Sequence, residues 1–214
     1  MRRYLNKMRQ VLFFCFVGVL FFKGNSQRAD SLKKINLGFD IGGNYTFLQL
    51  EKATQTNQNQ ITTLNGLGFR IGIVVDYKIN RYFSLIPKAE LSFNDVRLYT
   101  IYGGGSKESR SISPLTAEIS PHFAFKLSDK KVKPYFLIGP VLKIPIPDAS
   151  NPRALEINSN VVGIDMGFGL NRALKYFNFS PELRYSYGLN NISNSADISK
   201  MYFHNISLVF IFKG

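Results

Sequence analysis

The feature that most constrains this chain is a period of two in its hydrophobic residues, which continues from Asn36 onward. In segment 67–77 the odd positions are Leu, Phe, Ile, Ile, Val and Tyr, and the even positions are Gly, Arg, Gly, Val and Asp. Successive side chains of a β-strand point to opposite faces, so this pattern predicts strands with one apolar and one polar face. Apolar residues at helical spacing are missing from the same stretch, and we expect an all-β fold.

Eight segments carry this alternation. Their apolar faces begin at Leu37, Leu67, Phe83, Leu115, Phe136, Val162, Phe177 and Tyr202. Short turns are predicted at 79–82, 127–133 and 171–175, and long polar loops at 49–63, 97–112, 145–160 and 190–200. An even number of antiparallel strands, joined alternately by short and long connections, is typical of outer-membrane barrels with short periplasmic turns and long external loops. The pattern therefore predicts an eight-stranded antiparallel transmembrane β-barrel.

The first 26 residues have the layout of a signal peptide. Four basic residues and no acid lie within 1–10, and an apolar run follows over 11–22. Gly24 and Ser26 are small residues at the −3 and −1 positions of a cut before Gln27, as a signal peptidase requires. We therefore expect a cleaved signal peptide at 1–26 and a barrel domain at 27–214. Cys15, the single cysteine, is removed with the signal peptide, which leaves no cysteine for a disulfide or a zinc site.

The predicted mature chain is basic. Cleavage removes five basic residues and no acid, which leaves 22 Lys and Arg against 14 Asp and Glu. An exported chain does not meet chromosomal DNA, so nucleic acid is not an expected partner. The charge favours anionic lipid headgroups or polyanionic glycans, with a merely solvated basic surface as the alternative.

Alternation alone fits both a membrane barrel with lipid outside and a soluble barrel with an apolar lumen. The polar face distinguishes them, because it is rich in Gly, Ser and Asn and carries singly spaced charges, as suits a crowded narrow interior. Aromatic residues near the strand ends of the apolar face resemble the girdles at membrane interfaces. They are Tyr45, Phe47, Tyr77, Phe83, Phe93, Tyr187, Tyr202 and Phe212. Lipid is therefore expected outside.

The polar face then places acids and bases together in the lumen. The acids are Asp40, Asp76, Glu90, Glu118, Asp165 and Glu182, and the bases are Arg70, Lys88, Lys126, Lys143 and Arg184. Near-balanced charge predicts a structural salt-bridge network, because an unpaired buried charge is costly. A proton or ion path through the same residues is the alternative. A diffusion pore is not expected, since side chains fill the interior of an eight-stranded barrel.

Three segments resemble a known family: 67–72 (Leu-Gly-Phe-Arg-Ile-Gly) with 76–78 (Asp-Tyr-Lys), 133–140 (Lys-Pro-Tyr-Phe-Leu-Ile-Gly-Pro), and 179–191, which begins Phe-Ser-Pro-Glu-Leu-Arg. They are similar to the PorT-like outer-membrane barrels of Bacteroidetes-type bacteria, over about 36–214. The resemblance implies an eight-stranded outer-membrane barrel, and the family's namesake takes part in the type IX secretion system. It implies no catalytic residue.

No assembled catalytic constellation is evident in the sequence. His204 has the lipid-facing parity of the last strand, whereas Ser207 points to the opposite face, and we expect His204 to be an interfacial residue that reaches headgroups. His122 lies on the polar face near Glu118, where a hydrogen bond in the lumen explains it as well as a general base does. The glycine-rich segment 103–106 is followed by no predicted helix and so indicates a loop. We expect no catalytic residue, no cofactor and no metal.

The sequence thus predicts a non-enzymatic, monomeric outer-membrane barrel that serves as an anchor or accessory component of surface assembly or protein secretion. Its expected partners are outer-membrane lipid and other envelope or secretion proteins. Two alternatives stay open. One is a lipid-modifying enzyme that depends on His122 or His204, and the other is a soluble periplasmic barrel that carries an apolar ligand.

Overall fold

The computed structural model describes residues 34–52, 60–101, 107–112, 115–127, 132–146, 160–193 and 198–214. The predicted signal peptide lies outside these ranges. The described strands are β1 (Ile35–Lys52), β2 (Gln60–Leu64), β3 (Gly66–Lys78), β4 (Phe83–Asn94), β5 (Val96–Ile101), β6 (Lys107–Ile112), β7 (Leu115–Lys126), β8 (Val132–Pro145), β9 (Val161–Ala173), β10 (Asn178–Gly188) and β11 (Ile198–Lys213). In the described ranges, no helix has the length and hydropathy needed to cross a membrane.

Eight of these strands form a closed antiparallel barrel in the order β1, β3, β4, β7, β8, β9, β10, β11. Strand β11 returns to pair with β1 over a long ladder, from Gly38 opposite Lys213 to Glu51 opposite Lys200. Closure pairs both edges of every barrel strand, which removes the exposed edges that an open sheet would leave in lipid. The predicted eight-stranded antiparallel barrel is confirmed.

The barrel has two different ends. Short connections and the C-terminal residue Gly214 define one end, here called the turn end, and the other connections define the loop end. The turn between β3 and β4 is held by Asn80, whose Oδ1 accepts hydrogen bonds from the backbone N–H groups of Tyr82 and Phe83, both at 2.8 Å. The turn after β9 lies at 174–177, slightly later than predicted, because Asn171 and Ala173 still pair with β8 and β10.

The two faces of each barrel strand differ in polarity, as a barrel surrounded by lipid requires. On β3 the outward residues Leu67 and Ile73 are 76% and 61% exposed, whereas the inward residues Arg70 and Val74 are 0% and 1% exposed. Apolar side chains therefore cover the outside, and charged side chains fill the middle of the lumen. This arrangement is the reverse of a soluble carrier with an apolar lumen, and that alternative is wrong.

A second sheet lies at the loop end, in the order β2, β5, β6. The prediction of long polar loops at 49–63 and 97–112 was therefore wrong in part. Strand β5 pairs with β6 from Val96 opposite Ile112, and with β2 from Leu64 opposite Arg97. The physical reason is that the alternation of β4 continues past Asp95, so that Val96 and Leu98 bury their side chains at 0% and 5% exposure. The glycine-rich segment 103–106 lies outside the described residues.

Candidate functional site: a charged lumen and its two ends

The inward faces of the barrel strands bring the predicted lumen charges together. Because side chains alternate along each strand, one parity on every strand points to the barrel axis. The structure places all eleven predicted residues on this face, each 6% exposed or less: Asp40, Arg70, Asp76, Lys88, Glu90, Glu118, Lys126, Lys143, Asp165, Glu182 and Arg184. Their contacts differ with depth in the barrel.

A chain of alternating charges crosses the centre. The Arg184 Nη2 group donates to both carboxylate oxygens of Glu90, at 2.6 and 2.9 Å. Arg70 Nη1 lies 3.4 Å from one oxygen of Glu90 and 3.4 Å from one of Glu118. Lys143 Nζ donates to the same Glu118 oxygen at 3.2 Å. Buried charges are tolerable when each has a partner in good geometry. The row of alternating charges provides such partners for five residues, one each on β3, β4, β7, β8 and β10.

A second group of contacts includes a tyrosine. Lys88 Nζ forms a short ion pair with Glu182, which also accepts a hydrogen bond from Tyr135 Oη at 2.9 Å. The Tyr135 ring occupies the space where Gly169 has no side chain, because a Cβ atom at position 169 would collide with that ring. Tyr135 was not among the predicted lumen residues. Its place one residue before the apolar-face residue Phe136 was the available signal.

His122 and Asp165 form a third contact. The distance from His122 Nε2 to Asp165 Oδ2 is 2.9 Å, and Ser186 Oγ donates to the other Asp165 oxygen at 2.5 Å. In a nucleophilic triad the serine donates to the histidine, whereas here the serine donates to the carboxylate. Within the described residues, His122 Nδ1 has no hydrogen-bond partner. The arrangement orients the imidazole in the lumen and presents no activated nucleophile.

Further charges lie closer to the turn end. Lys213 Nζ donates to Asp76 at 2.9 Å, and Lys126 Nζ donates to Ser84 Oγ at 2.7 Å. Lys213 was not predicted from the sequence, although it continues the inward parity of β11.

Asp40 differs from the other acids: it is 1% exposed, and neither carboxylate oxygen has a hydrogen-bond partner among the described residues.

Apolar clusters lie on both sides of the charged layer. We call the cluster nearer the loop end the loop-end plug; it contains Leu48, Val96, Leu98, Val161, Ile192, Ile198, Met201 and Phe203. The turn-end cluster contains Val74, Ile86, Ala124, Tyr135, Leu137, Val209 and Ile211. Apolar packing above and below a paired charge network gives a filled interior rather than a water-filled channel.

His204 lies on the outer face, at the predicted parity, but it does not reach the surface. Its ring stacks on Phe47 at a centroid distance of 5.3 Å and contacts Tyr187 at 4.9 Å, so that the residue is 1% exposed. Its Nδ1 lies 3.2 Å from Tyr185 Oη. The expectation of a headgroup-reaching histidine is wrong, because aromatic neighbours on β1 and β10 cover the imidazole.

The chain is similar to one family model and to solved structures of other proteins. A family model described as outer membrane protein beta-barrel domain matches residues 25–194. Neisserial surface protein A has a similar structure, with a TM-score of 0.53 and 13% identity over 85% of this chain and 98% of that protein. Ail, the attachment invasion locus protein of Yersinia pestis, is also similar, with a TM-score of 0.43 and 10% identity over 85% of this chain and 100% of that protein. No curated protein shows significant sequence similarity to this chain.

The match to the family model covers more than half of the chain, and the closed barrel has the apolar outer surface that lipid requires. The chain therefore belongs to the outer membrane protein beta-barrel domain family, and it is an integral protein of the bacterial outer membrane.

Proposed function

We propose that this protein is a non-enzymatic outer-membrane anchor of the PorT-like type, which presents its loop end to other envelope proteins during surface assembly or protein secretion. The observation that carries the proposal is the sheet of β2, β5 and β6. Strand β5 is central in this sheet, and in the described part of the chain β2 and β6 each pair on one side only. Unpaired strand edges are templates to which an extended segment of another protein adds by backbone hydrogen bonds.

The filled lumen supports an anchor rather than a pore. The central ion pairs and the two apolar clusters fill much of the lumen with side chains, which supports a recognition surface outside the barrel. The positions of the two histidines support a non-enzymatic role. His122 is buried at 0% exposure in the lumen, and His204 is covered by aromatic rings. Neither imidazole faces lipid, as a catalytic base for lipid chemistry would have to.

The PorT-like resemblance supports a role in secretion of the type IX kind. The segments that carry it lie on β3, β8 and β10, which build the barrel wall and supply Arg70, Tyr135, Glu182 and Arg184 to the lumen contacts. In this proposal the barrel is the membrane-held base, and the loop-end sheet is the part that meets the partner.

Photo-crosslinking in the native cells tests the proposal. A photoreactive amino acid in place of Leu64 on β2 or Ser109 on β6 is expected to give discrete protein adducts, because both residues are exposed on the outer strands of the sheet. The matched control is the same substitution at Ile71, a 49% exposed residue on the lipid-facing side of β3, which should give no protein adduct.

Deletion of the gene supplies the functional readout. Loss of surface-exposed or secreted cargo, restored by the wild-type gene but not by a version without 96–112, is the expected result. The shortened protein must keep the gel-mobility shift on heating that folded barrels show. Normal cargo export in the deletion strain, together with no protein adduct at Leu64 or Ser109, would contradict the proposal.

A further inference from the structure

An apolar groove of about 760 Å³ runs along the outer surface of the barrel. Its lining includes Phe125, Phe136, Met166, Phe168, Leu183 and Tyr185, on β7, β8, β9 and β10. Most of the outer surface is a convex apolar wall, which disordered lipid chains can cover. A concave region of this size holds a particular chain better than bulk lipid does, because close packing on several sides adds dispersion contacts.

The groove occupies the half of the membrane next to the turn end. Phe83, which also lines it, is the first residue of β4, and Tyr185 lies seven residues into β10 from its turn-end start at Asn178. A rise of about 3.4 Å per residue and a strand tilt of about 40° convert seven residues into roughly 18 Å along the membrane normal. This depth is close to one leaflet of a hydrocarbon core about 30 Å thick.

Exposed cations lie at the turn end, on strands and turns that border the groove. Arg81 lies two residues before Phe83, and Arg172 lies on the outward face of β9, four residues closer to the turn end than Phe168. Both are exposed, as is Lys175 in the next turn. Arg81 and Lys175 lie over the rings of Tyr82 and Tyr176 at 5.8 and 5.2 Å, an arrangement that holds long cationic side chains at an interface. We call these three residues the turn-end collar.

Among the described residues, the collar has no exposed carboxylate near it, unlike the cations of the loop end. Among the described residues of the turn end there is no exposed Asp or Glu side chain, since Asp76 is 1% exposed and pairs with Lys213. At the loop end, by contrast, exposed cations have acidic partners: Lys200 with Glu51 and Arg97 with Asp95, each at 2.9 Å. Within the described part of the chain, the collar cations thus have no exposed carboxylate as a partner, and their charge favours an anion from outside the protein.

We propose that the groove and the collar together bind an anionic phospholipid of the turn-side leaflet. Its acyl chains lie in the groove, and its phosphate lies at the turn end, within the positive charge of the collar. A second barrel docked symmetrically on this face would bring two sets of collar cations together, which disfavours it. This inference is independent of the proposed anchor function.

Native mass spectrometry of the detergent-purified protein tests the proposal. With phosphatidylglycerol and phosphatidylcholine added in equal amounts at low salt, phosphatidylglycerol is expected to remain bound preferentially. The double variant Arg81→Gln with Arg172→Gln should bind phosphatidylglycerol roughly 10-fold to 30-fold more weakly, with phosphatidylcholine unchanged. Leu183→Trp, which fills the groove, should reduce binding of both lipids.

Two control variants are matched to these changes. Lys200→Gln removes an exposed cation at the loop end, and Ile71→Trp enlarges an outward apolar residue on β3, which does not line the groove. Both should bind lipid as the wild type does. Each variant is first checked for folding by its gel shift on heating.

The proposal is overturned by equal binding of the two lipids to the wild type, by equal losses in a variant and its control, or by a dimer in place of lipid-bound monomer. If the Leu183→Trp variant fails to fold, the salt dependence of lipid binding by the wild-type protein tests the proposal. Its preference for phosphatidylglycerol must weaken as salt is raised, because exposed charges are screened, and a salt-independent preference overturns the headgroup contact.

Discussion

At the scale of single residues, Arg184 connects two carboxylates from one inward position on β10. It donates to Glu90 at 2.6 Å, and its Nε lies 3.8 Å from Asp165. Without Arg184, Glu90 keeps only the longer contact with Arg70, at 3.4 Å. Removing one partner from a buried ion pair leaves the other charge uncompensated, which costs far more than the pair itself contributes.

We therefore expect Arg184→Met to lower the free energy of unfolding by about 3 to 5 kcal/mol. Urea titration in lipid vesicles, followed by the gel-mobility shift of the folded barrel, measures this change. The control is Lys200→Gln, which breaks an ion pair whose side chains are 48% and 49% exposed and should change stability little. An Arg184→Met protein as stable as this control would show that the central network does not stabilise the barrel.

A second residue-scale prediction concerns the glycine beneath Tyr135. Gly169→Ala places a methyl group against the Tyr135 ring, and the ring cannot move without disturbing its hydrogen bond to Glu182. We expect a loss of about 1 to 3 kcal/mol in the free energy of unfolding. Gly43→Ala is the matched control, because its Cβ would meet nothing closer than Gly68 O at 3.9 Å. Equal urea midpoints for the two variants would contradict this account.

At the scale of elements, the loop-end sheet is attached to the barrel by buried side chains rather than by the barrel's hydrogen-bond ladder. Strand β5 follows β4 after a single intervening residue, Asp95, and its ladder partners are β2 and β6. Val96 and Leu98 join the loop-end plug with Leu48 and Phe203 of the barrel wall. The plug therefore couples two sheets that share no strand pairing in the described ranges.

This coupling predicts a local effect for Leu98→Asp. A carboxylate at position 98 would lose its hydration among the apolar side chains of the plug, so we expect the loop-end sheet to detach and become sensitive to protease within 96–112. The barrel should stay folded, because its ladders and central ion pairs are untouched. Limited proteolysis with the gel shift on heating measures both effects. Leu64→Asp, at a 51% exposed position of β2, should leave the protein resistant, and equal cleavage of both variants would contradict the role of the plug.

At the scale of the whole molecule, the charge network and the two apolar clusters fill an eight-stranded barrel. We expect vesicles that contain the protein to take up small sugars no faster than protein-free vesicles, since side chains fill the interior of an eight-stranded barrel. A swelling assay measures the uptake, with a general diffusion porin as the positive control. Uptake that rises in proportion to the amount of folded protein would show that the interior opens.

Much of this architecture could be predicted, because alternation along a strand decides which side chains point inward. Parity assigned Glu90 and Arg184 to the lumen and Ile71 to the lipid face, where the structure places them. Parity does not give depth or partners, however. Lys88 pairs with Glu182, which is 94 residues away in sequence, while Asp40 has no partner among the described residues. The register of the closed barrel sets these distances, and a single strand carries no information about register.

The sequence by itself determined the fold class, the number of barrel strands and the chemical character of each face, because these depend on local periodicity and on the lengths of the connections. Only the tertiary structure decided how β2, β5 and β6 form a separate sheet, how the apolar clusters bracket the charged layer, and how aromatic rings cover His204. Those features depend on side chains from strands far apart in the chain, which meet only when β11 closes the barrel against β1.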